Sequence, residues 1–91
     1  MIINNGTPRS VPRTTQMSLN QVPSGQAAVI RDIHASEHLL QRMVALGLRR
    51  GRRVLVIRRA NHHGPLHVRV GMTELMIRRT DADTVEVAVD P

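Results

Sequence analysis

The stretch MVALGLRRGRRVLVIRRA, residues 43–60, decides the fold, because a helix ends in it and a strand begins in it. Up to Leu46, apolar residues recur at spacings of three and four, which is typical of one face of a helix. Gly47 suits the position just after a helix, where a left-handed backbone stops the helical run. We expect Leu48 to pack back onto that helix end. Arg53 to Arg59 follows as a strand that is apolar on both faces, which predicts a central strand or one covered on both sides.

The residues before this stretch predict the start of the helix and a preceding strand. Ser36 is a favourable N-cap, and the charge of Glu37 at the first helical position suits the helix dipole. Ala27 to Ile33 has the composition of a strand. Residues 1–16 are polar and lack an apolar period, so they are predicted to form a flexible N-terminal tail. The folded domain is predicted to span residues 17–91.

The residues after it predict three further strands. Leu66 to Val70 alternates between apolar and polar residues, as does the segment that contains Leu75 and Ile77. Asp81 to Asp83 is a short turn, and Val85 to Val89 is the last strand. Five short strands with one helix inserted after the first indicate a mainly β fold, a small and partly open barrel.

Composition narrows the possible functions. The 91 residues carry a net charge of +6, with thirteen arginines and no lysine, phenylalanine, tyrosine, tryptophan or cysteine. A basic chain suggests an anionic partner. Proteins that bind single-stranded nucleic acid or proline-rich peptides use aromatic side chains, however, and the lack of them here disfavours both kinds of partner. Without cysteine there is no disulfide or thiolate ligand, which fits a cytoplasmic protein. No apolar run approaches the roughly 20 residues that span a bilayer.

Catalysis is not predicted by any motif in the chain. The seven acidic residues are scattered, and no serine lies in a nucleophile elbow. The glycines match neither a phosphate-binding loop nor a dinucleotide-binding motif. We therefore expect a protein that is not an enzyme and requires no cofactor.

Three interpretations are open for the arginines in and after the turn, which are Arg49, Arg50, Arg52, Arg53, Arg58 and Arg59. They form a phosphate-binding patch, a solvated surface, or a patch that meets an acidic protein. The lack of aromatic residues and of lysine favours the solvated surface over nucleic-acid binding.

Histidines offer candidate metal ligands. His34 and His38 are four residues apart with Glu37 between them, a spacing that places two imidazoles on one helix face in zinc sites. Because Ser36 caps the helix, however, His34 precedes it. The neighbouring His62 and His63 share a turn. We expect at most adventitious zinc or another divalent ion at these residues, in a monomer or a weak dimer that the metal bridges.

The apolar stripe of the helix is the other candidate interaction site. Leu39, Met43 and Leu46 are expected to pack on the barrel. A small barrel without aromatic residues nevertheless offers limited surface to cover five large apolar side chains. One or two of them, with Met43 among the candidates, are expected to remain accessible and to suit an adaptable interface.

An ordered set of short motifs resembles the FeoA family. The set comprises Leu46-Gly47-Leu48, Gly51, the alternating Val54, Val56 and Arg58, Gly64-Pro65, and Ile77-Arg78-Arg79-Thr80-Asp81-Ala82. The resemblance implies an SH3-like barrel and a cytoplasmic accessory protein of ferrous iron uptake. It also implies docking on the cytoplasmic G-protein part of the transporter FeoB. The expected contacts are Leu39, Met43, Leu46, Leu48, Arg49, Arg50 and Arg52. The alternative is a nucleic-acid-binding or repressor-associated module of the same fold.

Overall fold

The computed structural model describes residues 15–61 and 63–89, which form one antiparallel sheet and two helices. The elements in chain order are β1 (Thr15–Ser18), a 3₁₀ turn (Leu19–Gln21), β2 (Ala27–Ile33), α1 (Glu37–Ala45), β3 (Arg53–Arg59), β4 (Leu66–Val70), β5 (Thr73–Ile77), α2 (Arg79–Ala82) and β6 (Val85–Val89). The order of strands in the sheet is β1-β6-β2-β3-β4-β5. The prediction of a mainly β fold with a helix between β2 and β3 is confirmed.

The sheet has six strands where five were expected. The additional strand is β1, in which Met17 lies opposite Val87 of β6. Thr15 and Gln16, the last two residues of the predicted tail, begin this strand, whereas residues 1–14 lie outside the described part of the chain. The sheet curls around its core without closing, because β1 and β5 remain at its two edges.

Strand β3 occupies the interior of the sheet, as predicted from its apolar composition. Val54 and Val56 are fully buried in the core, while Leu55 and Ile57 on the opposite face are only partly buried. The strand is therefore central, but only one of its faces is covered. Successive side chains of a strand point to opposite faces, so buried and partly exposed residues alternate along β3.

Strand β2 contains a bulge close to the arginine-rich turn that follows the helix. Ile30 pairs with Val87 and Asp32 pairs with Glu86, so Arg31 is an extra residue in β2. A bulge bends its strand and releases main-chain groups from the regular ladder. The Arg31 carbonyl accepts a hydrogen bond from Nε of Arg50 at 3.1 Å.

Both ends of α1 have the predicted local structure. The Ser36 hydroxyl accepts a main-chain hydrogen bond from the first turn at 3.3 Å. Gly47 has a φ of +95° and donates to the Val44 carbonyl at 3.0 Å, while the Leu48 N–H donates to the Met43 carbonyl at 2.8 Å. These are the two bonds of the Schellman motif. The helix therefore stops at a defined residue, and the chain turns towards β3. No helix within the described residues is long and apolar enough to span a membrane.

Candidate docking surface around helix α1

Met43 lies on the central line of the helix stripe and anchors α1 to the sheet. Its side chain is 2% exposed, and that of Leu48 is fully buried. The expectation that Met43 remains accessible was therefore wrong. Met43 points directly at the core, and Leu48 is drawn in by the turn that ends the helix. Both predicted contact residues hold the helix in place and offer no free surface to a partner.

The flanks of the same stripe, in contrast, remain accessible. Val44 is 44% exposed and Leu46 is 47% exposed, whereas Leu39 and Leu40 are half-buried against the core. The helix packs on the core through Met43, and a groove that contains apolar side chains lies on each side of it. Large apolar side chains exposed together are typical of interaction surfaces in soluble proteins.

The first groove, called the Met76 groove, lies between α1 and the edge strand β5. Its volume is about 90 Å³. Its lining consists of Leu39, Arg42, Met43, Leu46, Leu48, Leu75, Met76, Ile77, Arg78 and Asp81. Met76 is 58% exposed and lies opposite His67 in the sheet. Met76 was not among the predicted contact residues, although its alternation with Leu75 and Ile77 placed it on the outer face of a strand.

The second groove, called the Val44 groove, lies between α1 and the end of β2. Its volume is about 350 Å³, and its lining consists of Asp32, Ile33, Leu40, Val44, Arg49 and Arg50. Aliphatic side chains form its floor, and two exposed arginines follow directly after the helix. The one carboxylate in the lining, that of Asp32, accepts a hydrogen bond from the main chain of Ile33 at 2.9 Å.

The arginines of the turn differ from those arginines that an acidic or amide side chain holds in place. Arg69 donates to the Glu74 carboxylate at 2.7 Å, and Arg59 is held by oxygens of Asn20. Within the described residues, neither Arg49 nor Arg50 forms an ion pair with an acidic side chain. The third arginine predicted at this site, Arg52, is partly buried and lies against Gly71. No close ion pair within the described residues therefore neutralises Arg49 or Arg50, and the Asp32 carboxylate is the one opposing charge in the lining of the Val44 groove.

A cross-strand cluster on β4 and β5 neutralises charge farther along the sheet. Glu74 accepts from Arg69 and also contacts Nε2 of His67 at 2.9 Å. The hydrogen bond from Arg69 is the main reason that the pKa of Glu74 is lowered, and His67 acts in the same direction. These side chains support one another across two strands.

Those predicted metal ligands that lie in the described part of the chain do not form a metal-binding group. His34 precedes the helix and contacts the Glu86 carboxylate at 2.9 Å, a hydrogen bond that raises the pKa of His34. Glu37 and His38 are exposed at the start of α1, and His63 is exposed in the β3–β4 turn. His62 lies outside the described residues. In the part of the chain that is described, no three His, Asp or Glu side chains form a group that could hold a metal ion.

Solved structures of similar proteins share this fold. FeoA from Chlorobium tepidum is 29% identical over 80% of this chain and 70% of that one, with a TM-score of 0.75. FeoA from Stenotrophomonas maltophilia, crystallised with zinc and described as an SH3 domain protein, is 31% identical over 78% and 88%, with a TM-score of 0.65. A manganese-dependent transcriptional repressor is 18% identical over 88% of this chain and 45% of its own, with a TM-score of 0.77, which shows a shared fold alone. No curated protein matches the chain significantly.

The family model provides the most direct assignment. The model of the FeoA domain matches residues 17–89, which include every strand from β2 onwards, both helices and both grooves. The ordered motifs around Gly47 and Asp81 predicted the same relationship, and the SH3-like fold agrees with it. The chain therefore belongs to the FeoA family.

Proposed function

We propose that this protein is a non-enzymatic accessory protein of ferrous iron uptake that docks on the cytoplasmic G-protein part of FeoB. Membership of the FeoA family supports a role in ferrous iron transport. One similar structure is described as an iron uptake regulatory protein, and another as a candidate activating factor for ferrous iron transport.

The exposed flanks of α1 are the observation that supports docking. Val44 and Leu46 expose nearly half of their surface, and Met76 of the neighbouring strand exposes more than half. Removing apolar area from water contributes about 25 cal/mol per Å², so a partner that covers these side chains gains affinity. The buried Met43 and Leu48 hold the helix rigidly, so little is lost in ordering the surface on binding.

The arginines act at the edge of this surface. Exposed charges of this kind mainly accelerate encounter with an acidic partner and add less to the lifetime of the complex. Their effect falls as salt screens them. Binding that depends on the helix flanks for affinity and on Arg49 and Arg50 for association rate is therefore the expected behaviour.

Calorimetry with the cytoplasmic domain of FeoB tests the docking surface. We expect Leu46→Gln to weaken binding about tenfold, which corresponds to about 1.4 kcal/mol. The matched control is Met72→Gln, because Met72 is a fully exposed apolar residue in the β4–β5 turn. Unfolding curves of both variants exclude a loss of structure. If the wild-type protein does not bind the FeoB domain, or if both variants bind as the wild type does, docking through this surface is wrong.

A second set of variants separates the role of charge from that of apolar contact. Replacing Arg49, Arg50 and Arg52 together by glutamine is expected to slow association and reduce its salt dependence, with a smaller effect on dissociation. Duplex DNA serves as the competing partner in the same titration. Tight binding to DNA with a steep salt dependence, and none to FeoB, would favour the nucleic-acid alternative.

A further inference from the structure

We infer that the Val44 groove is a binding site for an acidic amphipathic peptide segment, whose apolar side chain enters the groove while its carboxylates meet Arg49, Arg50 and Arg31. The inference deepens the proposed function, on which it rests, because it specifies the chemistry that a partner presents to this side of the helix. It concerns the Val44 groove, the larger of the two, and the Met76 groove is not part of the site.

The floor of the groove requires an apolar occupant. Ile33 is buried, Leu40 is half-buried and Val44 is 44% exposed, and these three side chains lie side by side between the end of β2 and the helix. A volume of about 350 Å³ accommodates one or two large aliphatic or aromatic side chains. Covering an aliphatic surface of this kind with a phosphate, a sugar or a hydrated ion contributes no favourable binding free energy.

The charge beside the floor requires an acidic occupant. Arg49 and Arg50 line the groove and are exposed. Arg50 also lines an adjoining pocket of about 350 Å³ together with Arg31. Among the described residues, no acidic side chain pairs with any of these three arginines. The carboxylate of Asp32 is the single opposing charge in the lining of the groove, so the net charge there favours an anion.

The position of Arg50 connects the two requirements. The bulge at Arg31 exposes its carbonyl, which accepts from Nε of Arg50 at 3.1 Å. This bond fixes one side of the guanidinium and leaves its two terminal nitrogens for a carboxylate, which arginine binds in a bidentate manner. Arg50 thus lies between the apolar groove and the second pocket. A segment whose apolar side chains are flanked by acidic ones satisfies both at once.

A nucleic acid fits this site less well than a peptide. Single strands bind proteins mainly by stacking their bases on aromatic rings, and this chain has none. A duplex would place its phosphates on the arginines and leave the apolar floor uncovered. The apolar floor and the charge are used together only by an amphipathic peptide.

Binding of synthetic peptides to the full chain, measured by fluorescence anisotropy, tests the inference. The probe is a helical peptide with leucines on one face and glutamates along the edges of that face, where they can reach the arginines beside the groove. One control peptide has glutamine at every glutamate position, and a second has serine at every leucine position. We expect the first probe to bind at least about tenfold more tightly than either control. Equal binding of the glutamine peptide, or binding of duplex DNA as tight as that of the acidic peptide, would overturn the inference.

Variants of the protein locate the site. Val44→Glu places a carboxylate on the exposed floor and should reduce affinity for the acidic peptide by about tenfold or more, since like charges repel in the complex. Met72→Glu is the matched control at an exposed apolar position outside both grooves. Reversing the charge of Arg49 and Arg50 should act like Val44→Glu, whereas Arg58→Glu, at the far end of β3, should not. Unchanged binding by Val44→Glu would show that the peptide lies elsewhere.

The same variants distinguish this inference from the proposed function. If the FeoB domain binds wild-type protein and Val44→Glu equally but fails to bind Leu46→Gln, docking on FeoB stands and the inference is wrong. If the FeoB domain does not bind while the acidic peptide binds in a Val44-dependent manner, the groove is a peptide site and its partner is another protein.

Discussion

The positive φ at Gly47 leads to a prediction that connects the helix end to the docking surface. The backbone there has a φ of +95°, and an added Cβ would meet only Cγ1 of Val70, at an ordinary contact distance of 3.8 Å. Space is therefore available, and the cost of substitution comes from the backbone alone. For an L-residue other than glycine, the left-handed conformation costs about 1–2 kcal/mol.

A graded series of substitutions at this position isolates that cost. Gly47→Asn should destabilise the domain by less than about 1 kcal/mol, because asparagine tolerates the left-handed region. Gly47→Ala should cost about 1–2 kcal/mol, and Gly47→Val about 2–3 kcal/mol because its β-branch adds strain. In a domain of this size, about 1 kcal/mol changes the Tm by roughly 4–8 °C.

Far-UV circular dichroism during thermal and urea unfolding is the suitable assay, because the chain has no aromatic residue to report by fluorescence. The expected order of stability is glycine, asparagine, alanine and then valine. If valine at position 47 proved as stable as asparagine, the helix would not depend on a left-handed residue there. In that case, the left-handed backbone at position 47 would not be what holds the two hydrogen bonds that end the helix. The burial of Leu48 and the position of Arg49 and Arg50 beside the Val44 groove would then have to be explained in another way.

Three other outcomes follow from single contacts or from their absence. Arg59→Met should lower the free energy of unfolding, measured by urea denaturation, by about 2–3 kcal/mol, because it removes hydrogen bonds of 2.7 and 2.6 Å to the side chain and carbonyl of Asn20. The control is Arg58→Met at the exposed neighbouring position, and equal effects of the two variants would contradict the role of Arg59. The hydrogen bond to Glu86 raises the pKa of His34 in the folded state above its usual 6.5. Protonated His34 therefore stabilises the fold fully below pH 6.5, and this contribution is lost as the pH rises through the folded-state pKa. His34→Gln should lower the free energy of unfolding in mild acid and leave it unchanged at alkaline pH, and a pH-independent effect would refute this. The protein is expected to fold without metal, so unfolding curves with and without a strong chelator should coincide, and a lower midpoint with chelator would show a structural metal site.

Local sequence determined the elements whose hydrogen bonds close within a few residues. The cap at Ser36 and the stop at Gly47 were predictable, because each uses main-chain groups from the same turn of chain. Apolar and β-rich composition predicted β2 and β3, alternation predicted β4 to β6, and the ordered motifs predicted the family. The strand Thr15–Ser18 was missed because its four residues show little pattern and pair with β6, about seventy residues away in the chain.

The functional surface, by contrast, was decided by the tertiary structure. Sequence spacing put Met43, Val44 and Leu46 on one stripe, but only the rotation of the helix on the sheet buries the first and exposes the other two. Met76 borders the groove beside Leu46 because the fold brings residues of β5 and of the helix to the same groove, and no local pattern contains that neighbour. Arg50 reaches Arg31 because a bulge in another strand turns a carbonyl towards it. Spacing fixes which residues share a face, whereas packing between distant segments fixes how much of that face a partner can reach.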